Sequence, residues 1–192
     1  MKVKGKDNYD LNCIDSITKY TTAHLFVDKR TKKKCYEFLK QIKDNCYEQI
    51  FENYLKEKNK KVKDRILPEF VCDKFSNYKS AFDKLFARTC KLTSGIPIAY
   101  KKYGVKHNNN PIERYNGKIK DRIKSIRSGF KSYKGAEAFM NLRDIIYNFV
   151  NPHQELGDKT PAEAAGIDLK LKRDRLLDLI RKVDKMREHS LR

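Results

Sequence analysis

The first half of the chain alternates apolar and polar positions and then changes to a helical period. Residues 9–13 alternate strictly, and a second apolar run at 21–27 follows the polar stretch 15–19. This pattern predicts two antiparallel strands joined by a turn. Beyond Thr31, a residue type favoured at helix N-caps, the period predicts a long amphipathic helix. Its apolar positions are Cys35, Phe38, Leu39, Ile42, Cys46, Ile50, Phe51, Tyr54 and Leu55.

The second half predicts one further strand and several helices. An apolar segment at 66–72 contains Pro68, which suits an edge or the start of a strand, and Asp73 stands at its C-terminal end. The order of the elements predicts an α/β fold, with a mixed sheet flanked by helices and a C-terminal helical tail. We assign residues 1–150 to this domain and residues 151–192 to a C-terminal loop and helical tail. The helices are expected to begin at Ser76, to span 111–127 and 135–150, to begin again at Thr160, and to follow Asp168.

The charge of the chain points to a polyanionic partner. It has 44 Lys and Arg against 25 Asp and Glu, which gives a formal net charge of +19 at pH 7. A folded body that repels itself this strongly is typical of proteins that bind nucleic acid. The alternative is a lysine-rich surface adapted to heat or salt.

Cysteine usage and hydropathy exclude several other classes of protein. The five cysteines are odd in number and form no C-x-x-C pair, so neither a zinc site nor a disulfide framework is favoured. No window approaches the roughly 18 consecutive apolar residues of a membrane span. The first six residues lack the apolar core of a signal peptide. We therefore expect a cytoplasmic protein with free thiols and no membrane partner.

The helix at 111–127 carries the most informative pattern. Glu113 lies about 100° round from the apolar face of this helix, at the head of a second, mostly basic stripe. A glutamate at the N-terminal end of a stripe of basic residues suits an enzyme that binds a phosphodiester backbone and holds a metal at the scissile phosphate. The alternatives are a capping box at the start of the helix and a solvated basic face. The apolar face is Ile112, Tyr115, Ile119, Ile123 and Ile126, and the second stripe is Asn116, Gly117, Lys120, Lys124 and Arg127.

Five segments resemble the catalytic domain of insertion-sequence transposases of the DDE class and the related integrases. The stretch 109–117 resembles the surroundings of the third catalytic carboxylate, and Val71-Cys72-Asp73-Lys74 resembles the strand end that bears the second. The hairpin 2–6 is similar to the one just after the first carboxylate. The turn 129–132 and the segments 151–154 and 159–164 resemble the family's downstream motifs.

The resemblance implies a ribonuclease H-like fold in which two Asp and one Glu hold two divalent ions, Mg²⁺ or Mn²⁺. Hard oxygen ligands suit Mg²⁺, and two ions stabilise both the attacking and the leaving oxygen at phosphorus. Water first frees a DNA 3′-hydroxyl, which then attacks target DNA. Asp73 and Glu113 match the second and third carboxylates and are the expected catalytic residues and metal ligands. The expected DNA contacts are Arg114, Asn116, Lys120, Lys124, Arg127 and Lys131.

The first aspartate of the family stands before the Lys-Val-Lys-Gly hairpin, and here Met1 already lies inside that hairpin. We therefore expect an N-terminally truncated transposase with little or no activity, without the helix-turn-helix region that finds the terminal repeats. The nearest acids are Asp7, Asp10 and Asp15, and one alternative is an active nuclease that uses Asp10. Another is a non-enzymatic basic DNA-binding protein. Besides DNA, the expected partners are further copies of the chain or an intact transposase.

Overall fold

Helices make up most of the computed structural model, which describes residues 1–73, 75–94, 110–124, 126 and 129–190. The strands are β1 (Lys2–Val3), β2 (Lys6–Asp7), β3 (Tyr9–Ile14), β4 (Thr21–Val27), β5 (Glu69–Cys72) and β6 (Lys91–Ser94). The helices are α1 (Lys32–Glu57), α2 (Ser76–Phe86), α3 (Asn110–Lys124), α4 (Tyr133–Ile145), α5 (Pro161–Ala164) and α6 (Arg175–Ser190). A π-helical turn at Ile146–Val150 continues α4, and short 3₁₀ turns lie at Val62–Asp64 and Gln154–Leu156.

The β3–β4 hairpin forms the centre of the molecule and confirms the antiparallel strands expected from the alternation. Leu11 pairs with Leu25 and Asn12 with His24 in the antiparallel register. Successive side chains of a strand point to opposite faces, so the two faces of the hairpin carry different side chains. One face presents Leu11, Cys13, Ala23, Leu25 and Val27, and the other presents Asp10, Asn12, Ile14, His24 and Phe26.

Helices α1 and α2 cover the first of these faces. The hydroxyl of Thr31 accepts a hydrogen bond from the backbone N–H of Lys34 at 3.2 Å, which confirms the predicted N-cap. The apolar stripe of α1 packs on the hairpin and on α2 as far as Ile50, as its helical period predicts. The prediction was wrong for the last turns, where Phe51 and Leu55 are 38% and 41% exposed. The buried members of this first core include Leu11, Val27, Cys35, Phe38, Leu39, Ile42, Ile50, Phe82 and Phe86.

Helices α3 and α4 cover the opposite face of the hairpin. The second core contains Val3, Phe26, Tyr115, Ile119, Ala136, Met140 and Tyr147. The hydroxyl of Tyr133 donates a hydrogen bond to the carbonyl oxygen of Phe26 at 2.7 Å, which ties the start of α4 to β4. The hairpin is therefore the middle layer between two pairs of helices.

Strands β5 and β6 form a parallel pair, with Glu69 opposite Lys91 and Cys72 opposite Ser94. Parallel neighbours need a crossover connection, and α2 supplies it. Pro68 stands just before β5, where its missing N–H removes no ladder bond, and its carbonyl accepts from the N–H of Lys91 at 2.8 Å.

The predicted α/β class is confirmed, but the described strands form three separate pairs and not one continuous sheet. The pairs are β1–β2, β3–β4 and β5–β6, of which only the last is parallel. The specific ribonuclease H-like order stays a prediction, as does the division into residues 1–150 and 151–192. Throughout the described ranges, no helix combines the length and the apolarity needed to cross a membrane.

Candidate active site and DNA-facing helix

Asp73 follows directly after β5, at the carboxyl end of the parallel pair, the edge at which α/β sheets bind ligands. Its side chain is 59% exposed, and its Oδ2 lies 3.6 Å from Nη1 of Arg30. The guanidinium of Arg30 lies 4.5 Å from the ring centroid of Phe75 and 4.8 Å from that of Tyr9. Asn77 donates a hydrogen bond to the carbonyl oxygen of Arg30. A cation fixed by packing therefore stands beside this carboxylate.

Glu113 lies in the first turn of α3, on the exposed side of the helix. Tyr115 and Ile119 are only 2% and 4% exposed, and Ile112 and Ile123 are half-buried. The apolar face expected from the spacing is therefore confirmed, and Glu113 is turned away from it. A carboxylate in the first turn also interacts favourably with the helix dipole.

The exposed side of α3 carries the basic residues that the sequence placed there. Lys120 is exposed, and Lys124 is 78% exposed with its Nζ 3.4 Å from Oδ1 of Asp121. Asn116 and Gly117 are half-buried, and a Cβ added to Gly117 would meet nothing within 4 Å. Packing within the chain therefore does not require glycine here, although glycine costs a helix about 1 kcal/mol. Among the described residues, nothing outside the helix therefore approaches the Cβ position of Gly117.

Three other expected DNA contacts differ in their surroundings. Arg114 is exposed but pairs with Glu155, with Nη1 3.0 Å from Oε1. Lys131 is exposed and lines a cavity together with the β1–β2 hairpin. Arg127 lies outside the described residues, as does Lys74 of the motif around Asp73.

Two of the three acids near the start of the chain make contacts within the hairpins. Asp15 caps its own turn, where Oδ1 accepts from the N–H groups of Ile17 and Thr18 at 3.1 and 2.6 Å. Asp10 is bound by His24, and Asp7 is exposed opposite Lys2.

The described residues do not assemble a complete metal site of the expected kind. Within the described ranges, no group of three or more His, Cys, Asp or Glu side chains could hold a metal ion. That Asp10 replaces the first carboxylate of the family stays a hypothesis. That Asp73 and Glu113 share one ion stays a prediction.

A buried polar network on the second face of the hairpin was missed by the sequence analysis. Nε2 of His24 lies 2.5 Å from Oδ1 of Asp10, and both side chains are nearly buried, at 7% and 12% exposed. Asp144 on α4 faces the same pair and accepts a long hydrogen bond from the hydroxyl of Tyr115 at 3.5 Å. The buried side-chain amide of Asn148 donates to the carboxylate of Asp144 and to the carbonyl oxygen of Thr21, and its oxygen accepts from the N–H of Thr21. The two bonds to Thr21 resemble those that a neighbouring strand would make. The network links β3 and β4 to α3 and α4.

The titration of this network follows from its burial. Desolvation raises the pKa of Asp144 to about 6, although the charge of His24 lowers it in part. Burial acts to lower the pKa of His24, but the hydrogen bond and charge of Asp10 outweigh burial and raise it. Tyr115, two residues after Glu113, has a raised pKa because it is desolvated and lies near Asp144.

These features define a class of protein: a basic α/β domain with an aspartate at a strand end and a glutamate heading a helix that exposes lysines. Residues 1–153 match the family model described as a DDE domain, of the IS240 type. The chain therefore belongs to the DDE domain family of insertion-sequence transposases. Transposases of this class act on DNA and use divalent metal ions. No curated protein and no solved structure matches the chain.

Proposed function

We propose that this chain is the catalytic-domain part of a DNA transposase, that Asp73 and Glu113 are two of its metal-binding carboxylates, and that α3 lies along DNA. The observation that carries the proposal is the orientation of α3. Its Tyr115 and Ile119 are buried against the hairpin, so Glu113, Lys120 and Lys124 are all left to solvent. A strand of DNA along that surface brings its phosphates to the lysines and one phosphate towards Glu113.

The two carboxylates supply the oxygen ligands that Mg²⁺ or Mn²⁺ prefers. A bound divalent ion stabilises charge on the oxygens of the phosphodiester. Arg30 holds the carboxylate of Asp73 at the end of β5, because its own position is fixed by two aromatic rings. We propose that this activity takes place in the cytoplasm.

A polypeptide of residues 1–192 alone supplies two of the three carboxylates that the family uses. We propose that such a polypeptide binds DNA but has little or no strand-cleaving activity by itself. Copies of the chain, or an intact transposase, are its proposed protein partners.

The sharing of one ion by Asp73 and Glu113 can be tested with ferrous iron in place of Mg²⁺. Hydroxyl radicals made at bound iron with ascorbate and peroxide cut the backbone near the ligands. We expect cuts close to both residue 73 and residue 113, suppressed by excess Mg²⁺. Glu113→Gln should weaken the cut at residue 73 as well as the cut at residue 113, because each ligand contributes to the same site.

Glu52→Gln on the exposed surface of α1 is the matched control and should leave both cuts unchanged. Cuts at only one of the two positions, or a cut at residue 73 that is insensitive to Glu113→Gln, would show that the two residues do not share an ion.

A non-enzymatic DNA-binding protein that modulates an intact transposase is the second candidate. It is favoured by one observation: a three-carboxylate group is not found within the described residues. Under this function the chain binds DNA equally well with Mg²⁺ and with a chelator, and Asp73→Asn has no effect on any activity of the intact enzyme mixed with it.

A further inference from the structure

The β1–β2 hairpin and the turn after α3 enclose a basic cavity of about 390 Å³. Lys2, Lys4 and Lys131 line it, together with Gly5, Gly129 and Phe130. All three lysines are exposed, and among the described residues none of them forms an ion pair. The nearest acid in the hairpin register is Asp7 opposite Lys2, and it does not line the cavity.

The hairpin is fixed in place and is not a loose appendage. Val3 is 5% exposed and belongs to the second core with Ile119 of α3. Val3 also bridges to Phe130, and the N–H of Lys4 donates to the carbonyl oxygen of Phe130 at 3.1 Å. Because Val3 points inward, the strand alternation turns Lys2 outward, and Lys2 and Lys4 both line the cavity beside Lys131.

One residue in the turn of this hairpin, Lys4, has a backbone conformation that lysine rarely adopts. Lys4 and Gly5 connect the paired residues Val3 and Lys6, and their φ angles are 49° and 77°. A two-residue turn with both φ angles positive is of type I′, in which Asn-Gly is the preferred pair. A lysine in the left-handed region costs on the order of 1 kcal/mol. Local rules tend to be broken where a side chain is needed for function.

We propose that this cavity is a binding site for backbone phosphates of DNA, with Lys2 and Lys4 as contacts beyond those on α3. The inference rests on the proposed function, and it starts from Lys131, an expected DNA contact that lines the same cavity as Lys2 and Lys4. Three lysines around one concavity neutralise a phosphodiester well, and the half-buried ring of Phe130 gives the cavity an apolar wall. Contacts from lysine to phosphate add affinity for DNA but do not distinguish one base sequence from another.

The double variant Lys2→Gln/Lys4→Asn tests the site without damaging the turn. Asparagine at position 4 creates the preferred Asn-Gly pair, so the hairpin should be at least as stable in urea unfolding. Lys131 is left unchanged because it is already an expected DNA contact, so that the variant tests only the two lysines of the hairpin. Binding of a random-sequence DNA duplex is measured by fluorescence anisotropy over a series of salt concentrations.

We expect the slope of log K against log salt to fall by about 1.8, that is about 0.9 for each lost contact, and affinity at 0.1 M salt to fall about 50-fold. The control Lys56→Gln/Lys58→Gln removes the same charge from the exposed end of α1 and should change the slope little. Equal slopes for the two double variants would overturn the hairpin site while leaving the proposed function intact. Failure of the unaltered chain to bind DNA would overturn both.

Discussion

At the scale of single residues, the polar network behind α3 has a stronger effect on the stability of the domain than the exposed acids do. His24, Asp10 and Asp144 are packed between the hairpin and α4, where water screens their charges poorly. Exposed pairs such as Lys124 with Asp121 contribute between about 0 and 1 kcal/mol. The titration of the network should therefore be visible in the unfolding free energy.

We predict that Asp144 makes the fold less stable as pH rises from about 4 to about 6. Burial raises its pKa from 3.8 to about 6, so the folded state holds the proton more tightly than the unfolded chain does. The stabilising contribution is present in full at low pH and is lost as pH rises through the folded pKa. The raised pKa of His24 acts in the same direction.

The measurement is urea unfolding of the unaltered chain and of Asp144→Asn at pH 4.5 and pH 7.5. Relative to the variant, the unaltered chain should lose on the order of 2 kcal/mol between these values, at about 1.4 kcal/mol per pKa unit. The comparison removes the contribution of charged groups outside the network, whereas the pKa of His24, which Asp144 raises, changes with the substitution and is part of the measured difference. Parallel pH profiles for the two proteins would contradict the prediction.

The sequence predicted the secondary-structure positions of the candidate site residues but not the ion pairs that they form. Asp73 was expected at a strand end and Glu113 in the first turn of a helix, and both positions are confirmed. The pairs Arg30 with Asp73 and Arg114 with Glu155 join residues 43 and 41 positions apart. No local period encodes such contacts, because they depend on how the helices pack.

At the scale of elements, the helical period of α3 predicts which side of the helix is buried, whereas the alternation of β3 predicts a strand but not which of its faces is covered. The spacing of Tyr115 and Ile119 predicted the buried side of the helix correctly. The alternation of β3 predicted the strand equally well, but a polar position in a strand does not tell whether its face is exposed or covered. The face that carries Asp10 and Asn12 is covered by α3 and α4, so its polar residues form a buried network.

We predict that the exposed side of α3 carries salt-dependent DNA affinity. Replacing Lys120 and Lys124 by Gln removes two charges that the helix exposes to solvent, and Gln keeps the helix propensity close to that of Lys. If each lysine neutralises one phosphate, the slope of log K against log salt should flatten by about 0.9 per residue. Anisotropy titrations on one duplex at several salt concentrations give this slope.

Lys170→Gln/Lys172→Gln, in the exposed segment before α6, is the matched control for this prediction. It lowers the net charge equally and lies outside the residues matched by the DDE family. A slope that is unchanged by the α3 substitutions, or changed to the same degree by the control, would show that the stripe is only a solvated face.

At the scale of the whole molecule, the two helical layers share the β3–β4 hairpin, while β5–β6 pairs only with itself among the described strands. The edge of β4 is covered in part by the side chain of Asn148, which hydrogen-bonds to both backbone groups of Thr21. The apolar cores of the described residues lie on the two faces of this hairpin. The sheet order of the family could not be recovered from the sequence because strand pairing is non-local and these strands are short.

Our last prediction concerns a polypeptide of residues 1–192 alone, which should neither cleave nor join DNA at a useful rate with Mg²⁺ or Mn²⁺. Under the proposed assignment of Asp73 and Glu113, this polypeptide supplies one carboxylate fewer than the family uses, and each tenfold loss in rate corresponds to about 1.36 kcal/mol of barrier. Cleavage and strand transfer are measured on DNA with the element's ends, for this polypeptide, its Glu113→Gln variant, and a version extended upstream to add a strand bearing an aspartate. Only the extended version should be active, and Glu113→Gln within it should abolish the activity. Robust cleavage by residues 1–192 that disappears in Glu113→Gln would refute the prediction, and Asp10→Asn would then show whether Asp10 is the third ligand.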